Sequence, residues 1–133
     1  MTDADLCGIS LSLLDDDAVT RAYLSEALRQ RGAHVDEAAD GFEALAMIRK
    51  RAVAHPYHAV IADLMMPEMN GFEFIESLRR RSWGRDMPII VLSAHSDSEN
   101  VIRSATHNVQ GFVVKPVDID VMAKKLLTVA PPV

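Results

Sequence analysis

Residues 59–78 read AVIADLMMPEMNGFEFIESL. The first four, Ala59 to Ala62, form an apolar run short enough for a buried strand. Asp63 follows at once. Beyond a loop shaped by Pro67 and Gly71, apolar positions recur at helical spacing in Gly71, Phe74, Ile75 and Leu78. A strand without polar residues must be covered on both faces, and an amphipathic helix supplies such a cover. The stretch therefore reads as one strand–helix unit with a carboxylate at its turn.

Working outward, the same unit recurs. Apolar runs stand at Ile9 to Leu14, Val35 to Ala38, Ile89 to Leu92 and Phe112 to Val114, the second being the weakest. Helical spacing joins Tyr23, Leu24, Ala27 and Leu28, then Phe42, Leu45 and Ala46. It returns in Val101, Ile102, Ala105 and Val109, and last in Ile119, Met122, Leu126 and Val129. The runs end at residues 14, 38, 62, 92 and 114, spacings that leave room for one helix in every gap. Regular alternation predicts an α/β fold with a mostly parallel five-stranded sheet and helices on both faces. Gly32 closes the first helix, Asp40-Gly41 opens the second and Asp118 caps the last.

The composition sets bounds. At 133 residues, the chain fits one domain, read here as residues 1–133 with a core of about 8–129. Apolar residues at 49% exclude a disordered chain, and the absence of a long apolar run excludes a membrane span. No secretory signal opens the chain, and Cys7 alone makes no internal disulfide, so the expected location is the cytoplasm. Fourteen basic against 19 acidic residues give −5, which argues against direct binding of nucleic acid. Half of the basic residues fall in Arg49-Lys50-Arg51 and Arg79 to Arg85, read as solvated helix ends.

Ligands of open parallel sheets bind beyond the carboxyl ends of the strands. Asp15 and Asp16 follow the first run, Asp63 the third, Ser93 the fourth, and Lys115-Pro116 the fifth. Three carboxylates brought together repel one another, and a divalent cation is the usual remedy. Oxygen-only ligands favour Mg²⁺, with Mn²⁺ and Ca²⁺ as alternatives. Lys115 and Ser93 suit an anion, so the set fits a metal and a phosphoryl group together. Asp63 can then serve as nucleophile, since carboxylates carry phosphoryl groups.

These residues resemble the receiver domain of two-component response regulators. The motifs are LLDDD (13–17), VIADLMMPEMNGFE (60–73), PIIVLSA (88–94) and GFVVKP (111–116). The resemblance implies a flavodoxin-like, doubly wound sheet in the order 2-1-3-4-5 with five helices. It makes Asp63 the phosphoacceptor. Asp15 and Asp16 become the acidic pair for Mg²⁺, with the Met65 backbone carbonyl as a further ligand. Ser93 and Lys115 contact the phosphoryl group, and Lys115–Pro116 is a cis peptide. Asp17 is then a helix cap. The switch pairs Ser93 with Phe112, where Thr and Tyr are commoner. Met65 and His95 occupy positions that tune hydrolysis.

The implied function is a phosphorelay receiver. A sensor histidine kinase or histidine phosphotransfer protein donates to Asp63. The surface of the fourth helix, fifth strand and fifth helix then signals to a downstream target, with a phosphorylation-dependent dimer as an option. Such a chain is a signalling switch rather than an enzyme with a separate substrate. The alternative is the N-terminal receiver of a longer regulator with a DNA-binding or enzymatic output. A remote alternative takes Asp15-Asp16-Asp17 as the motif of a haloacid-dehalogenase-like phosphatase with Asp15 as nucleophile, which leaves Asp63 without a role. His55 and His58 lack further metal ligands nearby and read as loop residues.

Overall fold

The computed structural model describes residues 5–66, 68–94 and 109–130. In chain order the elements are β1 (Ser10–Leu14), α1 (Ala18–Gln30), β2 (His34–Ala38), α2 (Gly41–Arg51) and β3 (Ala59–Asp63). They continue with α3 (Gly71–Arg79), β4 (Ile89–Ser93), β5 (Gly111–Val114) and α4 (Ile119–Val129). The strands form one sheet in the order β2-β1-β3-β4-β5, every pair parallel. The α/β reading and the strand order therefore hold.

Period-2 alternation sends neighbouring side chains of each strand to opposite faces. On β3, Ala59 and Ile61 join Leu11, Leu13, Leu24, Leu28, Met122 and Leu126 on the face covered by α1 and α4. Val60 and Ala62 join Ala44, Ile48, Phe74, Ile75 and Leu78 on the face covered by α2 and α3. All five residues of β3 and of β4 are buried, as central parallel strands should be.

Two expectations need correction. Among the described residues there are four helices, not five. The expected helix at Val101, Ile102 and Ala105 lies outside them, so the last helix is α4. On α2, the buried residues are Gly41, Ala44 and Ile48, while Phe42 is 60% exposed. The small Ala44 lets the helix lie close to the sheet, and packing overrides the larger apolar residue. Tyr23 on α1 is likewise exposed.

The caps follow the sequence. The side chains of Asp17, Asp40 and Asp118 accept backbone N–H bonds at the starts of α1, α2 and α4. Asn70 and Glu73 form a reciprocal capping box on α3. Gly32 ends the α1 turn at φ +101°, a conformation that other residues rarely adopt.

Candidate functional site

The carboxyl ends of β1 and β3 are adjacent because those strands pair, Leu14 lying opposite Ala62. Asp15 leaves β1 and Asp63 closes β3, so both carboxylates reach the same edge. Asp15 is fully buried and Asp63 is 6% exposed. Asp16 is exposed beside them. Carboxylate oxygens of Asp15, Asp16 and Asp63 lie within 4.8 Å of one another.

Lys115 enters from the end of β5. Its Nζ stands 3.2 Å from Asp63 Oδ2 and 3.2 Å from Asp15 Oδ2. The Lys115 backbone N–H donates to the Ser93 carbonyl at 2.8 Å, and this holds the loop after β5 against the end of β4. The Lys115–Pro116 peptide is cis. Ser93 closes β4, is fully buried and donates its hydroxyl to the Ala94 carbonyl at 3.3 Å.

One ammonium is thus shared by two buried carboxylates. Burial, and then the Asp15 charge, push the Asp63 carboxyl up to about 6 against the pull of Lys115. Burial pulls the Lys115 ammonium down, but the charges of Asp63 and Asp15 outweigh it and leave it raised. The buried Asp15 Oδ2 accepts no hydrogen bond of ordinary geometry, although Lys115 is close. An under-satisfied buried oxygen in a cluster of hard oxygen donors is what a divalent cation such as Mg²⁺ completes, so the residues present fit that ion.

The N-terminus of α3 presses on the loop after Asp63. The Gly71 N–H donates to the Leu64 carbonyl at 2.8 Å. A Cβ at Gly71 would stand 2.7 Å from the Asp63 carbonyl oxygen and from Leu64 Cα. Only glycine permits this approach, so the helix start fixes the backbone that carries Asp63.

Arg21 was not anticipated. Its Nη1 donates to the Asp15 carbonyl at 2.6 Å, and its Nε lies 3.3 Å from Glu37 Oε1 on β2. It ties the acidic loop to α1 and β2. The sequence did carry a signal, because a cation in the first turn of a helix opposes the helix dipole and needs another anchor. Asp17 caps α1, and the Thr20 hydroxyl bonded to its carboxylate lowers its pKa.

Two other anticipated residues are exposed. Phe112 is 40% exposed on β5, next to the buried Val113. Met65 is 57% exposed in the loop after β3. His95 lies outside the described residues. Beside Lys115 opens a cleft of about 570 Å³ walled by Val19, Tyr23, Ala94, Pro116 and Val117. No helix among the described residues is long and apolar enough to cross a membrane.

The family model of the response regulator receiver domain matches residues 11–127. The chain is 33% identical over 113 residues to the two-component response regulator ARR12 of Arabidopsis thaliana, covering 85% of this chain and 18% of that protein. It is 34% identical over 115 residues to the regulatory protein VanRB of Enterococcus faecalis, covering 84% of this chain and 47% of that protein. The chain therefore spans less than half the length of these curated relatives. Among solved structures, the chemotaxis protein CheY4 of Vibrio cholerae superposes with a TM-score of 0.81 at 31% identity, covering 91% of this chain and 98% of that one.

Proposed function

Because the chain belongs to the response regulator receiver domain family, we propose that it takes a phosphoryl group from a phosphohistidine onto Asp63 and signals through its surface. Receiver domains are signalling switches of two-component systems, not metabolic enzymes. The observation that carries the reading is a single one. A nearly buried carboxylate at the end of the central strand faces an ammonium at 3.2 Å and shares its edge with two more carboxylates.

An Asp63 oxygen attacks the phosphorus in line, the P–N bond breaks, and its electron pair leaves with the imidazole nitrogen. The product is an acyl phosphate, and water returns it to carboxylate and inorganic phosphate. Asp15, Asp16, Asp63 and the Met65 carbonyl would hold Mg²⁺, which supplies positive charge against the carboxylates and the phosphoryl oxygens. Lys115 Nζ neutralises a phosphoryl oxygen, already placed for it by Asp63 and Asp15. Arg21 positions the Asp15 backbone. Ser93 offers its hydroxyl to the new dianion. Phe112 on β5 responds, and the surface of β5 and α4 passes the change to a partner. Met65 and His95 set how fast water returns the switch to rest.

Residues 8–129 act as one receiver unit in this reading. The phosphoryl donor is a sensor histidine kinase or histidine phosphotransfer protein.

Acetyl phosphate with Mg²⁺ tests the proposal. Mass spectrometry should place the phosphate on Asp63, and Asp63→Asn should take up none. Equal uptake by Asp63→Asn would overturn the assignment.

A further inference from the structure

The two basic stretches of the sequence end α2 and leave α3, which are neighbours on one face of the sheet. Helices that return a parallel sheet run against its strands, so these helix ends lie away from the acidic edge. Between them opens a cleft of about 340 Å³ lined by Leu45, Ala46, Arg49, Arg81 and Trp83.

Several arginines elsewhere on the molecule have carboxylate partners, and Arg79 on α3 donates to the Gly84 and Met87 carbonyls instead. Glu37 takes Arg21 and Arg29, Asp120 takes Arg31, Asp36 takes Arg51, and Glu76 takes Arg80. Arg49 and Arg81 are exposed and have no such partner among the described residues, in a chain with 19 acidic side chains to offer. The dipole of α2 accounts for a cation at Arg49. The dipole of α3 likewise favours Arg81 just past its end, but neither dipole accounts for the Trp83 indole set between the two cations.

Every polar group on the lining side chains is a donor, either guanidinium N–H or indole N–H. The ligand must therefore bring acceptors and negative charge. Planar guanidinium groups match phosphate oxygens in pairs. Trp83 is half-buried and packs against the core below it, so its ring is a fixed platform for another flat ring. The volume sits at the lower end of the range for small-molecule sites, about 300–1,000 Å³, and suits one small ligand better than a helix.

We propose that this cleft binds a nucleotide, its phosphate taken by Arg49 and Arg81 and its base laid against Trp83. The site is separate from Asp63, so Asp63→Asn should bind nucleotide as the wild type does. That independence separates failure of this proposal from failure of the phosphoacceptor reading.

Trp83 is the only tryptophan, so its fluorescence reports the cleft directly. Adenosine monophosphate should quench it saturably. Adenosine, inorganic phosphate and a glutamate-rich peptide should each bind more weakly. Arg49→Gln and Arg81→Gln should each weaken the nucleotide by about tenfold, as loss of a charged hydrogen bond does. Lysine at either position should restore part of it. Trp83→Phe, followed by calorimetry, should retain phosphate binding and lose the preference for the nucleotide. No saturable quench, adenosine as tight as its monophosphate, a glutamate peptide as tight, or unchanged binding in both glutamine variants would each overturn the proposal. Melting curves check that every variant is folded.

Discussion

Asp63 and Asp36 are both drawn out of water, and the protein treats them in opposite ways. Asp36 lies on β2. It accepts the Tyr57 hydroxyl at 2.6 Å and Arg51 Nη1 at 3.0 Å, and His34 Nε2 stands 3.1 Å from its other oxygen. Arg51 also stacks over the Tyr57 ring at 4.3 Å. Burial opposes its charge, yet the bonds from Tyr57 and Arg51 prevail and its pKa is lowered. Asp63 has one ammonium, which it shares with Asp15, and its pKa is raised to about 6. Donors per carboxylate decide the sign. The carboxylate on the edge strand is satisfied at rest, and the carboxyl edge of the sheet keeps negative charge in excess for a cation and a phosphoryl group to answer.

The contrast can be broken at either end. Asp36→Ala should have the largest effect, a loss of about 3 kcal/mol, because Tyr57 and Arg51 both lose a charged acceptor. Denaturant unfolding measures it, and a loss no larger than that of an exposed aspartate would remove Asp36 as an anchor. The Asp36 contribution is fully present above its unfolded pKa and fades as pH falls through the lower folded one, so the variant should differ least in strong acid.

Next comes the metal. Magnesium at about a hundredfold excess over its Kd should raise wild-type stability by about 2.7 kcal/mol, and EDTA should remove the gain. Asp16→Ala should lose most of it. An equal gain in that variant would take Asp16 out of the ligand set.

Asp63→Asn in EDTA should stabilise the protein by about 2 kcal/mol at neutral pH. The folded pKa is raised above the ordinary 3.8, so the penalty is absent below pH 3.8, grows up to about pH 6 and is full beyond. The gain should follow that curve in thermal melts. A gain independent of pH would point to a cause other than charge.

Tyr57→Phe should be the mildest, costing about 1 kcal/mol for one hydroxyl donor. Burial and the bond to Asp36 hold the Tyr57 phenol up at about 12. The hydroxyl bond therefore persists through the alkaline range in which an ordinary tyrosine ionises.

The two carboxylate clusters were not equally legible in the sequence. Asp15, Asp16 and Asp63 each follow an apolar run, and a parallel sheet places all such positions on one edge. Their convergence could be read from order alone, and so could Lys115. The Asp36 corner could not. Tyr57 is 21 residues and Arg51 15 residues from Asp36, and no local pattern marks them as partners. The inward face of α2 also departs from its sequence pattern, because Phe42 outranks Ala44 in hydrophobicity while close packing prefers the smaller residue. Arg21 shows an intermediate case, a dipole mismatch visible in the sequence whose reason appears only with Asp15 and Glu37 in place.

By itself the sequence determined the strands, most of the helices, three of the caps and which carboxylates meet. These follow from short-range periodicity and from the geometry of parallel strands, which side-chain detail does not alter. Only the tertiary structure decided how charge is shared: one ammonium between two buried carboxylates at the carboxyl edge, two donors around one carboxylate on the edge strand. Such sharing depends on which side chains reach across elements and how far water is excluded, and neither quantity is written in the order of the residues.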